Sequence, residues 1–501
     1  QQVYTRDAFP EDWAMTQNNL ATAYKDRIRG ERAENIEQSI VCYEQALQVR
    51  TRDAFPQDCR QTAQNLGNLY FKEECWEKAI DVYQLATAAN EDSYQESISY
   101  DGKGDNLKSA AIFARNLAYA YAKLNNRQAA ILTLEQSRAR GLSETIDRDR
   151  AALTQLQTLA KNLYLDYQTI TQQLRNREYQ QRDRIMMSDR NSVAPEASPD
   201  EAKRLRKKMK DTISNIRQVP GYEHFLTPAK WEGIAIALRS DNPLIYIVTT
   251  SNSSMALIAT DNAIEVLWLN DLTLEVLKEL LFDRNDYGNF NGGWFVDYYR
   301  SASNRATWHN TIESTTRQLW DLLMEPIVQQ LKTLGYDRAT LIPTGYLSLL
   351  PLHAAWTPDL DRPTGKRYAI DDIHFTYTPN AKSLTAARSI ANQGHMNSIL
   401  AINNPTQDLD NSDREVQAAI ETFPQSTVLS REAATVEAVR SNLGKATVVH
   451  FSCHATANFQ EPLNSGLALS DSLFTLRDLL ALNLTDQNGL RLAVLSACET
   501  G

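Results

Sequence analysis

Val448-Val449-His450-Phe451-Ser452-Cys453-His454-Ala455 is the stretch on which the fold turns. Its counterpart is Leu492-Ala493-Val494-Leu495-Ser496-Ala497-Cys498-Glu499-Thr500-Gly501. Each opens on a short apolar run, the pattern of a strand buried on both faces in a parallel sheet. Groups just past the carboxyl ends of such strands share one sheet edge, where open α/β folds place their sites. His454 and Cys498, 44 positions apart, are therefore expected to meet. A thiol beside an imidazole is the minimum for a thiolate nucleophile. An imidazole also titrates near neutrality, which suits it to move the proton.

Outward from these strands, periodicity predicts further strands at residues 232–238, 244–250, 255–260, 339–342, 398–403 and 467–469. Helical patterns fall at 272–282, 308–334, 413–422, 433–442 and 476–482. Strands alternating with helices imply an α/β domain with a mainly parallel sheet covered on both faces. Gly288 to Gly293, preceded by Asp283-Arg284-Asn285-Asp286, has the composition of a mobile loop.

The first half repeats itself. Thr5-Arg6-Asp7-Ala8-Phe9-Pro10 recurs as Thr51-Arg52-Asp53-Ala54-Phe55-Pro56, an offset of 46. Asn19-Leu20-Ala21 with Tyr24 returns as Asn65-Leu66-Gly67 with Tyr70 and as Asn116-Leu117-Ala118 with Tyr121. A second helical pattern follows each: Ile40, Tyr43 and Ala46; Ala79, Ile80, Tyr83 and Ala86; Ala130, Ile131, Leu134 and Ser137. Small residues (Gly67, Ala79, Ala86) let two helices approach, and large ones (Leu66, Tyr70, Tyr83) fill the space between them. One pair cannot bury its own apolar face, so pairs stack. Residues 153–184 read as an amphipathic helix, 188–199 as a loop or disordered linker. A further helix is predicted to start at Ser198-Pro199. Its basic stretch, Lys203-Arg204-Leu205-Arg206-Lys207-Lys208, reads as a solvated helix face.

The 501 residues carry a net charge of −10, which argues against broad nucleic-acid or membrane binding. No apolar run reaches the roughly 18 residues that cross a bilayer. Five scattered cysteines make no disulfide framework, and a reducing, cytoplasmic setting is expected. Cys42, Cys59 and Cys75 are expected to be buried or half-buried packing residues. His450 is expected in the core, and His353 as a packing residue. Cys453 and His454 point to opposite faces as strand neighbours, so no metal site is expected. No cofactor is expected either.

Two resemblances refine this reading. The first half resembles the tetratricopeptide repeat (TPR): Leu66, Gly67, Tyr70, Ala79, Tyr83 and Ala86 fall at that repeat's mutual spacings, and Leu117, Ala118, Tyr121, Ala130, Leu134 and Ser137 keep them. The first unit departs, its second helix coming six positions late. The second half resembles the CHAT domain, a caspase-like domain found joined to such repeats in bacteria. The features that carry it are Pro343-Thr344-Gly345-Tyr346-Leu347 with Leu350-Pro351, Thr378-Pro379-Asn380 with Leu384, Asn404-Pro405, and both terminal motifs.

The resemblance implies an architecture of α + α/β type. A TPR solenoid over 1–150 and a helical linker over 151–219 would precede a caspase-like α/β sandwich over 220–501, truncated at its C-terminus. It implies a cysteine endopeptidase with Cys498 as nucleophile and His454 as general base and acid. The backbone N–H groups of Ala455 and Cys498 would hold the oxyanion. Ala455 stands where the family usually has glycine, and it would be strained if the site requires φ > 0. Ser496 and Glu499 are candidates for the border of a specificity pocket. Weak or no turnover is expected from the truncated chain alone. The repeats would offer a concave surface to a protein or peptide that is substrate or regulator. The alternative is a non-catalytic scaffold in which a peptidase-like domain only binds.

Overall fold

The computed structural model describes residues 5–95, 100–138, 153–186, 199–223, 225–227, 229–284, 290–301, 303–392, 395–458, 461–482 and 490–497. The chain forms two compact units. One comprises Gln1–Gly141 with Leu153–Ala381, the other Leu142–Ala152 with Lys382–Gly501.

The first unit opens with three helix pairs: α1 (Pro10–Lys25) with α2 (Arg32–Leu47), α3 (Pro56–Lys72) with α4 (Trp76–Gln95), and α5 (Tyr100–Lys123) with α6 (Arg127–Ser137). The repeated Phe-Pro dipeptide explains two of the starts. Pro10 and Pro56 take the first helical turn, where a missing N–H costs nothing. The expected small residues let each pair close up. Ala21, Ala46, Ala79, Ala86, Ala118 and Ala130 are fully buried, and so is Tyr83. Tyr83 lies against Gly67, donates to Asn68 Oδ1 at 2.7 Å, accepts from Asn116 Nδ2 at 3.1 Å and stacks on Phe113. Cys42 and Cys59 are buried as expected, but Cys75 is exposed, because it stands in the turn between α3 and α4.

The helix expected over 153–184 is two, α7 (Leu153–Leu159) and α8 (Lys161–Met186). Only Ala160 interrupts them, and the bonds Ala160 N to Leu156 O (2.7 Å) and Tyr164 N to Ala160 O (3.1 Å) carry the ladder across it. The linker over 188–199 lies outside the described residues up to Pro199, which begins α9 (Pro199–Ile216). Arg204, Lys207 and Lys208 on this helix are exposed, as expected of a solvated face. Lys208 faces Asp166 at 3.9 Å, and Lys210 faces Asp92 at 3.4 Å. Asp92 is buried and also takes a two-point contact from Arg52, at 2.6 and 2.9 Å.

Residues 232–238 are not a strand. They run through the short helix α10 (Trp231–Ala235). Ile234, Ala237 and Leu238 are the buried positions, a spacing of three and four that belongs to a helix. The strands that follow are β1 (Leu244–Thr249), β2 (Ser254–Ala259), β3 (Ile264–Leu269), β4 (Arg338–Pro343) and β5 (His374–Tyr377). They form one sheet in the order β3-β2-β1-β4-β5. β1–β2 and β2–β3 are antiparallel, while β1–β4 and β4–β5 are parallel. This sheet is therefore mixed rather than mainly parallel, because turns of a few residues can reverse the chain at 250–253 and 260–263 but cannot make a crossover.

One face of this sheet, with Ile245, Ile247, Ala256 and Ile258, packs on α11 (Leu274–Leu281) and on a long helix. That helix is α12 (Arg305–Leu319), a π turn at Trp320–Met324, then α13 (Glu325–Thr333). Its buried positions include Thr315, Leu319, Trp320, Leu323, Met324, Ile327, Val328 and Leu331. The other side of the sheet receives the last repeat. Tyr119 bonds Ser253 at 2.7 Å, Arg127 donates to the Ile264 carbonyl at 2.5 Å, and Lys123 lies 4.1 Å over the Trp268 ring.

The second unit holds β6 (Ser398–Asn403), α14 (Ser412–Ile420), β7 (Gln425–Ser430), α15 (Val436–Leu443), β8 (Val448–Ser452), β9 (Ala455–Thr456), β10 (Gly466–Ala468), β11 (Leu473–Thr475), α16 (Leu476–Ala481) and β12 (Leu492–Ser496). Four strands form a fully parallel sheet in the order β7-β6-β8-β12. β9, β10 and β11 make a small antiparallel sheet. β8 is buried along its length, as expected. β12 is not, with Leu492 44% and Leu495 43% exposed. It is the edge strand of the described sheet, so its apolar run lacks a neighbour on one side.

Candidate active site

Register places one residue from each parallel strand in a row: Ser430, Asn403, Ser452 and Ser496. This row marks the carboxyl edge of the sheet. His454 follows β8 by two residues, and Cys498 follows β12 by two in the sequence. Cys498 and Glu499 themselves lie outside the described residues.

His454 is half-buried, and its Nε2 lies 3.1 Å from Asp408 Oδ1. Composition and spacing gave no hint of this carboxylate. It comes from the loop after β6, and that loop is built by Asn404. The Asn404 backbone is left-handed, with φ 45°, and so is that of Gln407, with φ 64°. Asn404 Oδ1 accepts from the N–H groups of Asp408 and Leu409, each at 3.1 Å, while its Nδ2 donates to the Leu409 carbonyl at 3.2 Å. Asparagine tolerates this backbone and mimics a turn with its side chain. The Asn404-Pro405 pair was the available signal, since it marks a built turn beside the site. The Thr406 hydroxyl bonds Asp408 and, together with His454, holds the carboxyl below its ordinary range. A carboxylate beside Nε2 favours the neutral tautomer with the proton there, in which Nδ1 is the acceptor.

Ala455 begins β9 and pairs with Leu467, and its backbone is not left-handed. The strain expected for alanine at this place is therefore absent. The His454 carbonyl accepts from Ala468 N at 2.8 Å, which ties the turn after β8 to β10.

Cys453 points the other way, into the core with Val449 and Phe451, and burial pushes its thiol up to about 12. His450 is a core histidine, with Nε2 3.2 Å from Glu415 Oε1 at ion-pair distance but off the line of a hydrogen bond. Glu415 Oε2 accepts from Ser452 at 2.8 Å. Ser412 bridges Ser452 Oγ at 2.8 Å and Asn403 Oδ1 at 2.7 Å. Ser496 also lies close enough to Glu415 to lower its carboxyl. Burial raises the Glu415 carboxyl, but Ser496, the bond from Ser452 and the charge of His450 outweigh it, so it lies below its usual range. Ser496 is thus engaged beneath the sheet edge by α14. His353 belongs to the first unit, where its Nδ1 lies 3.0 Å from the Tyr377 hydroxyl. Burial lowers its pKa.

A histidine held by a carboxylate at the carboxyl edge of a parallel sheet is suited to proton transfer during nucleophilic attack. Comparison with protein families agrees in class: residues 313–501 match the CHAT domain, a caspase-like, peptidase-related domain. No curated protein matches the chain. Among the described residues no helix is long and apolar enough to cross a membrane, and no group of three His, Cys, Asp or Glu side chains is placed to hold a metal ion.

Proposed function

We propose that the protein is a cysteine endopeptidase of caspase-like type. Cys498 is the nucleophile, and His454, aligned by Asp408, is the general base and then the acid. The thiolate attacks a peptide carbonyl, and the amine leaves with the imidazole proton. Water then hydrolyses the thioester, restoring thiol and imidazole. The Ala455 and Cys498 backbone N–H groups hold the oxyanion. The helix pairs of residues 1–150 are TPR repeats that recruit a protein substrate or regulator.

One observation carries this reading. β8 and β12 are adjacent parallel strands in register, Ser452 beside Ser496, so the two motifs leave the sheet at one level. Strands that neighbour each other lie about 4.8 Å apart, within reach of a thiol–imidazole pair. The test is cleavage of a diverse peptide library by the protein and by its Cys498→Ala and His454→Ala variants, with circular dichroism to confirm the fold. Cleavage lost in both supports the assignment. Cleavage retained by Cys498→Ala refutes it and leaves a protein-binding framework.

A further inference from the structure

Arg115 on α5 reaches the turn after β4. A Cβ on Gly345 would collide with its Nη1, and Gly345 is itself left-handed, with φ 58°. The glycine of Pro343-Thr344-Gly345-Tyr346-Leu347 is thus required for its backbone, and it leaves room for the guanidinium beside it. Arg138, just after α6, arrives at the same face. Its Nε donates to the Pro379 carbonyl at 3.2 Å.

Arg138 has both Arg115 and Glu135 for charged neighbours. Glu135 Oε1 accepts from Tyr246 at 2.7 Å and from Ala381 N at 2.9 Å, and its Oε2 accepts from Ala381 N at 3.1 Å. The carboxylate is spent on these donors, and it forms no ion pair with either arginine among the described residues. The Arg115 fork has no hydrogen-bond partner there, and of Arg138 only Nε has one. Thr344 is turned to the same face. Tyr246 pairs with Ile342 in register, so Tyr246, Ile342 and Thr344 share a side of the sheet. Thr344 is 3% exposed and its hydroxyl has no partner among the described residues. Burial holds both arginines below their ordinary values, and the Arg115 charge adds to that effect on Arg138.

We propose that Arg115, Arg138 and Thr344 form a carboxylate-binding site between the last repeat and the first sheet. Arg115 and Arg138, with Glu135 beside Arg138, leave one positive charge, which a single carboxylate neutralises. A planar fork gives two parallel bonds to the two oxygens of a carboxylate, and the Thr344 hydroxyl donates a third. A phosphate dianion would overshoot the charge. The ligand is either a free small carboxylic acid or the carboxylate of a peptide, and its binding would be felt by the repeats and the sheet together. None of this depends on the peptidase reading.

The test is thermal unfolding of the whole chain in sodium acetate, sodium phosphate and sodium chloride at matched ionic strength. Arg115→Gln, Arg115→Lys and Thr344→Val are compared with wild type, and Lys278→Gln serves as a remote control. Acetate is expected to raise the wild-type midpoint saturably above chloride. That increment should vanish in Arg115→Gln, shrink in Arg115→Lys and Thr344→Val, and persist in Lys278→Gln. If Arg115→Gln does not fold, Arg115→Lys decides, since it keeps the charge and loses the fork. A short alanine peptide with a free C-terminus, compared with its amide, separates the sources. A larger effect of the free peptide than of acetate, lost on amidation, identifies a chain terminus, and an acetate effect alone identifies a free acid. Equal midpoints in acetate and chloride, an acetate increment unchanged by Arg115→Gln, or a larger Arg115-dependent increment from phosphate would each overturn the proposal.

Discussion

Gly67→Ala tests whether the first unit is built on closely packed helix pairs. A Cβ at this position would stand 2.6 Å from Tyr83 Cε1 and 2.7 Å from Cδ1, far inside ordinary contact. The ring cannot simply give way, because Asn68 and Asn116 hold its hydroxyl and Phe113 stacks on its face. Overpacking of this kind costs about 1–3 kcal/mol, and each strained hydrogen bond about 1 kcal/mol more. Alanine also favours helix over glycine by about 1 kcal/mol. The balance is a net loss of about 1–4 kcal/mol, taken from these opposing magnitudes. Urea unfolding followed by far-ultraviolet circular dichroism, with hydrogen exchange to locate the weakened helices, measures it. In a Tyr83→Ala background nothing remains to strike, so Gly67→Ala should become neutral or stabilising. A stabilising Gly67→Ala in the wild-type background would refute the close approach of α3 and α4.

Asp408→Asn should leave the fold unchanged and, if His454 acts as proposed, reduce turnover while shifting the pH profile of the base; an unaltered profile would remove Asp408 as its positioning residue. Thiol labelling of the folded protein should modify Cys75 rapidly and leave Cys59 and Cys453 unmodified, since burial raises both of their thiols to about 12. Mass spectrometry of the digested, labelled protein reads this directly. Glu415 has its carboxyl lowered in the folded state, so its share of stability is present above the unfolded carboxylate range, about 4.3, and is lost as pH falls through the lower folded value. Glu415→Gln should flatten that acid limb of an unfolding midpoint against pH curve; an unchanged limb would show that Ser452, Ser496 and His450 do not stabilise the carboxylate.

The helix pairs were legible because their signals are local: an offset of 46, proline at the first turn, and small residues at helical spacing. β8 was legible because a strand buried on both faces of a parallel sheet reads as a near-continuous apolar run. Residues 232–238 misled because Ile234, Ile236 and Leu238 alternate like a strand while Ile234, Ala237 and Leu238 are buried on a helical period. The apolar run of β12 could not disclose its exposure in the described sheet, because edge position belongs to the sheet order and not to the strand. β3, β5 and β7 went unseen. β7, Gln425–Ser430, is polar at four of its six positions and half-exposed or exposed throughout, so neither rule for a buried strand applies to it. Asp408 was out of reach for another reason. It stands 46 residues before His454, and only the left-handed turn at Asn404 brings them together.

The π turn at Trp320–Met324 has a consequence for how the long helix tolerates change in length. Its buried positions recur every four residues from Thr315 to Leu331, whereas an α-helix turns once in 3.6. Over that span the inward stripe would drift by roughly 160° on a regular helix. One wide turn takes up a whole residue and returns Ile327, Val328 and Leu331 to the side that Leu319 faces. Removing one residue within 320–324 should leave an unbroken α-helix whose two halves keep their relative phase. Removing one from either flank would swing everything beyond it by about 100°.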